Sequence, residues 1–493
     1  MRTPFFGPAY NDSSRNIAYN RLVNLYPEIV EVQGASKDVG AFLSAPGLDF
    51  LATIGTGPIR GFDVMGGVLY VVSGNTLYSV STSYAATSLG ALNTSYGPVS
   101  IIHNIIGTLQ QLCVFDGNAG WIYTINPPNS PFYQQINLPF GNSGASVAAA
   151  GPPVFATYQD TFGMVNVSGT NLWYQSNPGD LSVWSPLDYS AADSFPDKVL
   201  ALISFHNEIW LLKQNDTEIW YDAGNAGFSF SRLQGTFIEG GISAPFSLVK
   251  GGEALFWLAA NPQGGGVAVM TTSYQPARIS THPLEAEWQA YATISDALGW
   301  CYQQHGHLFY VLTFPTAGKT WVYDVTASAM LGSPCWHERA ALENGALLRH
   351  WGNAFVTFNN EQIIGDYRNG NIYAMDPAQA LDNGVQRKWV RTWRALAKPS
   401  DDPVKFSFLR IDMQTGIGVQ NGTNPLAALR WSDDGGYNWT SERFAPIGPV
   451  GMTAQRVKFT QLGGTRRNHG LDRIFELSST DVTQVSLIGA DLK

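Results

Sequence analysis

Charge is scarce in this 493-residue chain: Asp, Glu, Lys and Arg make up 14% of it. The balance that exists is acidic, −9 at pH 7. A protein that grips nucleic acid is usually basic, so this sign argues against such a task. It suits a surface past which nucleic acid slides. Cysteine is nearly absent. Cys113, Cys301 and Cys335 are far apart, odd in number and without CxxC spacing. That excludes a disulfide framework and a zinc site, and three buried, reduced thiols from cytosolic synthesis are expected. No run approaches the roughly 18 apolar residues of a membrane helix. The opening stretch MRTPFFGPAYNDSSRN has no apolar core of signal-peptide length, so no leader is expected. Helical periodicity is confined to residues 280–297, where Leu284, Trp288 and Tyr291 recur near helical spacing and Pro283 suits a first turn.

What remains is the composition of strands and turns. Aromatics reach 13%, with 51 Gly and 27 Pro, and 44% hydrophobic content is ample for a core and argues against disorder. A loose repeat organises these residues. GGVLYVVSGNTLYSV (66–80) is an apolar strand, a turn and a second strand. The form recurs at 110–125, 161–176, 207–223, 253–272, 306–325 and 353–376. Successive units start about 44 to 53 residues apart, the period of four-stranded propeller blades. A further apolar strand precedes most pairs, as in GPIRGFDVM (57–65) and DKVLALISF (197–205). The reading is an all-β chain with a β-propeller over 51–380, of seven blades by this count. Six remain possible, because the third unit is weaker and the outer strands are poorly marked.

The blade phrase stops near residue 380. Strand-like segments of a different kind follow and predict a C-terminal β-sandwich platform over 381–493. Residues 1–50 read as an extended arm and the start of that platform. Pro8, Tyr10, Asn11 and Pro27 suit an arm ordered by a neighbouring subunit.

Few residues suggest chemistry. SDDGGYNW (432–439) is similar to the Asp-box of sialidases, with Asn438 where Thr is usual. It reads as a structural turn: Asp434 accepts from turn amides, glycines such as Gly436 give backbone freedom, Ser432 opens the box and Trp439 packs on the next strand. Sialidase propellers carry several boxes, one per blade, whereas this one lies outside the repeat. Arg60, Arg232 and Arg278 could supply an arginine triad, but no spacing marks one. Asp216 with Glu218, and Glu285 with Glu287 if extended, are carboxylate pairs that read as decoration of a hairpin or a solvated face. His305 and His307 would share one strand face without a third ligand. GTGPIRG (55–61) and NPQGGGVAV (261–269) lack phosphate-loop spacing. In RKWVRTWR (387–394), Arg387, Trp389, Arg391 and Trp393 fall on one strand face. With Arg466 and Arg467 they are candidate interface or DNA contacts, the interface reading being preferred. No catalytic, cofactor-binding or metal residue is expected.

The order of NLYPEIVE (24–31), FLSAPGLDFL (42–51), GPIRGF (57–62) and LYVVSGNTLYSV (69–80) resembles the packaged-DNA stabilisation proteins of short-tailed bacteriophages. The resemblance continues through 197–224 and 235–260. It implies a virion tail hub or nozzle subunit without enzyme activity, synthesised in the host cytoplasm. It further implies a homohexameric ring below the portal and adaptor, joined by tailspikes or fibres and a plug or tip protein. Genomic DNA would pass through the ring without sequence-specific binding. The alternative is a propeller glycosidase or receptor-binding tail protein acting on host surface polysaccharide.

Overall fold

Local turn chemistry builds the blades. Between the first and second strands of five blades stand two-residue turns with both φ angles positive: Gly66–Gly67, Asp160–Thr161, His206–Asn207, His305–Gly306 and Asn359–Asn360. This is the type I′ pattern whose twist matches that of the flanking strands, and Gly, Asn and Asp tolerate it best. The computed structural model describes residues 2–15, 17–32, 38–107, 109–126, 134–135, 151–260, 264–395, 404–417, 424–464 and 473–493.

Seven antiparallel four-stranded units follow one another around an axis. Their inner strands are Ile59–Met65, Ser100–Ile106, Pro153–Gln159, Val199–Phe205, Val249–Gly251, Leu298–Gln304 and Gly352–Phe358. The uncertainty between six and seven blades is thereby resolved. The last blade takes its outer strand from the other end of the propeller: Gly47–Thr53 pairs with Asn371–Asp376. Blade seven then packs on blade one through Ile363, Ile372, Leu69 and Val71, which closes the circle.

Each second strand alternates residues between its two neighbours, as period-two geometry requires. In Glu208–Lys213, Ile209 and Leu211 pack toward blade three, while Trp210 and Leu212 pack toward blade five. Both faces are buried, so the core is seven inter-blade wedges rather than one centre.

Blade six does not end as the others do. Its outer strand, Trp336–Glu338, pairs parallel with Leu22–Val23, which pairs antiparallel with Trp389–Arg394. The sheet continues through Ile474–Ser479, Leu426–Ser432 and Arg443–Pro446, nine strands in all. A five-stranded sheet faces this extension: Leu25–Ile29, Gly40–Ser44, Ser486–Leu492, Lys405–Met413 and Val457–Gly464. Trp393, Leu429, Phe475 and Leu477 of one sheet pack against Phe42, Leu409, Ile411 and Leu487 of the other. This is the β-sandwich.

A helix, His282–Gln289, forms in the expected stretch with proline in its first turn, and buries Leu284 and Trp288. Of the cysteines, Cys113 and Cys335 are buried free thiols, while Cys301 is only partly covered.

Candidate functional site

The strand Trp389–Arg394 leads to the junction of arm, propeller and sandwich. Its alternation places Arg391 and Trp393 inward, and both are fully buried. Arg391 donates through Nε and Nη2 to the carbonyl of Phe5, at 3.1 and 2.5 Å. Its guanidinium lies 4.7 Å from the Phe42 ring centroid. Burial pushes its pKa down to about 9. Trp393 Nε1 donates to Thr3 Oγ1 at 3.1 Å. Arg387, also buried, donates to the Pro46 carbonyl at 2.6 Å, and burial lowers its pKa to about 10. Trp389 is buried in the sandwich core.

Arg387, Arg391 and Trp393 spend their donors on partners within the chain and Trp389 is buried, so the DNA-contact reading of these four is corrected, and the interface they serve joins parts of one chain. They hold this chain's own N-terminal segment. Arg466 and Arg467 lie outside the described residues.

The arm is held by its own sandwich. Thr3 N donates to Ala490 O at 2.9 Å, Phe5 enters the sandwich core, and Tyr10–Asn11 pairs with Tyr19–Asn20. Arg15 Nη1 donates to Gly436 O at 2.7 Å, which ties the arm to the Asp-box turn.

In that turn Ser432 Oγ donates to Asp434 Oδ1 at 2.7 Å. The amides of Tyr437 and Asn438 donate to the same carboxylate at 3.1 and 2.9 Å. These bonds hold the Asp434 pKa at about 2. Trp439 Nε1 donates to Gly436 O at 3.1 Å, and its ring lies 6.1 Å from Tyr19 of the arm. The hairpin's second strand begins only at Arg443.

Asn24 completes the junction, and sequence reasoning missed it. It sits in the left-handed region at φ 54 and is buried. Its Nδ2 donates to Ala340 O and Lys388 O, each at 2.8 Å, and its Oδ1 accepts from Ala340 N at 3.0 Å. One amide side chain thus bonds propeller, arm and sandwich together. Beside it Glu338 accepts from Arg21 at 2.7 Å and Lys319 at 2.9 Å. Burial alone would raise the Glu338 pKa, but the two cations outweigh it and the pKa is lowered. The only sequence signal for Asn24 is Asn before an apolar strand, which is commonplace.

The remaining candidates disperse. Arg60 donates to carbonyls of Gly74, Thr94 and Gly97 in blade one and its following loop. Arg278 pairs with Glu285 at 2.6 Å near the helix, and Arg232 stands in blade four. They form no triad.

Asp216 and Glu218 are not solvated. Both are buried around Lys213, whose Nζ lies 3.0 Å from Asp216 Oδ1, 3.1 Å from Glu218 Oε1 and 3.3 Å from Asp197 Oδ1. Glu285 and Glu287 are helical, not extended. His305 occupies a hairpin turn at φ 49, so it shares no strand face with His307. His307 is buried, with Asp324 2.8 Å from Nδ1 and Glu28 3.1 Å from Nε2. Among the described residues no cluster of His, Cys, Asp or Glu could hold a metal, and no helix is long and apolar enough to cross a membrane.

Among solved structures the chain is similar to the extracellular domain of the hybrid two-component system BT4673 from B. thetaiotaomicron, at 9% identity and TM-score 0.43. That match covers 86% of this chain and 47% of the other, so the chain spans about half its length. The N-terminal domain of Nup159 matches at 7% identity and TM-score 0.38, covering 73% of this chain and 99% of that one. The Neurospora crassa Pan2 WD40 domain matches at 8% and 0.39, covering 71% and 98%. No curated protein matches the sequence. The family model described as bacteriophage P22 Gp10, beta-propeller, matches residues 1–380, which take in the arm and all seven blades. The chain therefore belongs to this family of phage stabilisation proteins.

Proposed function

We propose that this protein is a non-enzymatic nozzle subunit whose six copies form a ring, extending the DNA exit channel below the portal and adaptor. The ring retains the packaged genome, anchors tailspikes or fibres around it and receives a plug or tip protein. Three regions divide the work: residues 1–50 as arm and platform start, 51–380 as propeller and 381–493 as platform. The strand Gly47–Thr53 straddles the first boundary.

The observation that carries this reading is the family match combined with the welded junction. Propeller and sandwich share one nine-stranded sheet, and the arm is bonded to both. A channel wall under the pressure of packaged DNA needs such a body, because a hinge between its parts would open a gap. Six copies at −9 each make an acidic ring, which offers sliding DNA little to adhere to. The outer strand of blade three leaves Val183, Leu187 and Tyr189 exposed, and that of blade four leaves Phe237 exposed. Apolar groups on rigid strands are what a ring-closing neighbour would cover at little entropic cost.

Mass measurement of the full chain, with imaging of the tail, tests this. A ring of six on the DNA exit path is expected. A single copy in the mature particle, or one lying off that path, would refute it.

A further inference from the structure

We propose that one mouth of the propeller axis is a docking site for an extended acidic polypeptide segment of another protein, with Arg349 receiving its carboxylate. A cavity of about 510 Å³ opens where the inner strands begin. Five blades contribute to it, and its walls are rigid and apolar: Pro58, Pro98, Pro245, Phe246, Pro315 and Tyr96.

Two polar groups in this wall lack what they need. Arg349, just before the inner strand of blade seven, is only 6% exposed. Its Nη2 donates to Asn353 Oδ1 at 3.0 Å, and its guanidinium lies 4.0 Å from the Tyr367 ring centroid. Its Nε is buried without a hydrogen-bond partner, and among the described residues no carboxylate forms an ion pair with it. Burial pushes its pKa down to about 10, outweighing the pull of nearby Tyr367, Asp296 and Asp366. Asp296, on the same cavity, accepts from Thr316 N at 2.8 Å through Oδ2, while its Oδ1 is buried and unbonded. Arg60 lines the cavity too, but it is occupied by carbonyls and holds loops.

The cavity therefore wants an acceptor at Arg349 and a donor at Asp296. A peptide supplies both, a side-chain carboxylate and a backbone N–H. The DNA backbone does not: its phosphates carry no N–H donor, and the Asp296 carboxylate repels them. Proline and aromatic walls favour an extended, proline-bearing segment, which loses little entropy on docking. The inference does not depend on the ring, since the cavity is complete within one chain.

The test uses the assembled full-length protein and three probes: acetyl-Pro-Glu-Pro-amide, its Gln twin and inorganic phosphate, read by saturation-transfer NMR and calorimetry. The Glu peptide should bind, and the Gln twin should bind about tenfold more weakly, since a charge-assisted bond is replaced by a neutral one. Arg349→Met should lose that preference. If Arg349→Met fails to fold, Tyr96→Ala serves instead. Tyr96 is 80% exposed at the rim, and its loss should weaken the Glu peptide with the fold intact. Absence of peptide binding to the parent overturns the proposal. So does equal binding by Arg349→Met or Tyr96→Ala, or Arg349-dependent binding of phosphate alone. Oligomeric mass, measured in parallel, tests the nozzle reading separately.

Discussion

Lys213→Met asks whether blade four depends on its buried ion cluster. Lys213 ends the strand Glu208–Lys213, and Asp216 and Glu218 open the next, Asp216–Asp222. The lysine is fully buried, and besides three carboxylates it donates to Ser194 Oγ at 2.9 Å and to Phe195 O at 3.1 Å. Burial by itself would lower its pKa, but the bonds to Asp216 and Glu218 outweigh that and raise it. Methionine keeps most of the stem volume and removes the charge. Three carboxylates then stay in the blade without their ammonium, and breaking a buried pair in this way costs about 3–5 kcal/mol.

The sign with pH follows. Asp216 is already held above the usual carboxylate range, by burial first, and losing its cation raises it further. A carboxylate raised in the fold contributes stability below its unfolded pKa and loses it as pH rises through the folded value. The deficit of Lys213→Met should therefore be full at about pH 7 and shrink toward about pH 4.5. Adding Glu218→Gln should recover part of it. Guanidinium unfolding followed by tryptophan fluorescence provides the assay, and Trp220, bonded to Glu218 Oε2 at 3.0 Å, reports locally. A deficit below about 1 kcal/mol at pH 7 refutes the reasoning, because that is the scale of an exposed pair. A deficit independent of pH refutes it equally.

Phe5→Ala should cost about 3–5 kcal/mol and speed proteolysis of the arm, since it empties a sandwich-core position beside Arg391 and Trp393; unchanged cleavage would mean that the arm is not anchored there. For His307, burial lowers the pKa, but Asp324 and Glu28 outweigh it, so the folded value lies above 6.5. Its contribution is full below that unfolded value and lost as pH rises through the folded one, so melting temperature should fall across this window, and less so in Glu28→Gln. Asp434→Asn should raise hydrogen exchange at the amides of Tyr437 and Asn438 and loosen Arg15 while leaving the propeller melt unchanged. Because Asp434 is depressed to about 2, acid should reproduce that loosening in the parent only as pH falls below the unfolded value toward 2.

The blades were legible in the sequence because their determinants are local. Strand alternation and turns such as His206–Asn207 act over a few residues, so each hairpin announces itself. The Asp-box was legible for the same reason: Ser432, Asp434 and Asn438 bond within one turn. Family membership was carried by an ordered series of such segments. Tertiary structure alone decided whether a charged residue faces water. Arg391 meets Phe5, Arg387 meets Pro46, and Lys213 meets Asp197, partners that no spacing in the sequence indicates. Closure was equally hidden, since the last blade is completed by Gly47–Thr53. A strand's pattern states which of its faces is apolar, whereas the neighbour that covers that face is set by how distant parts of the chain come together.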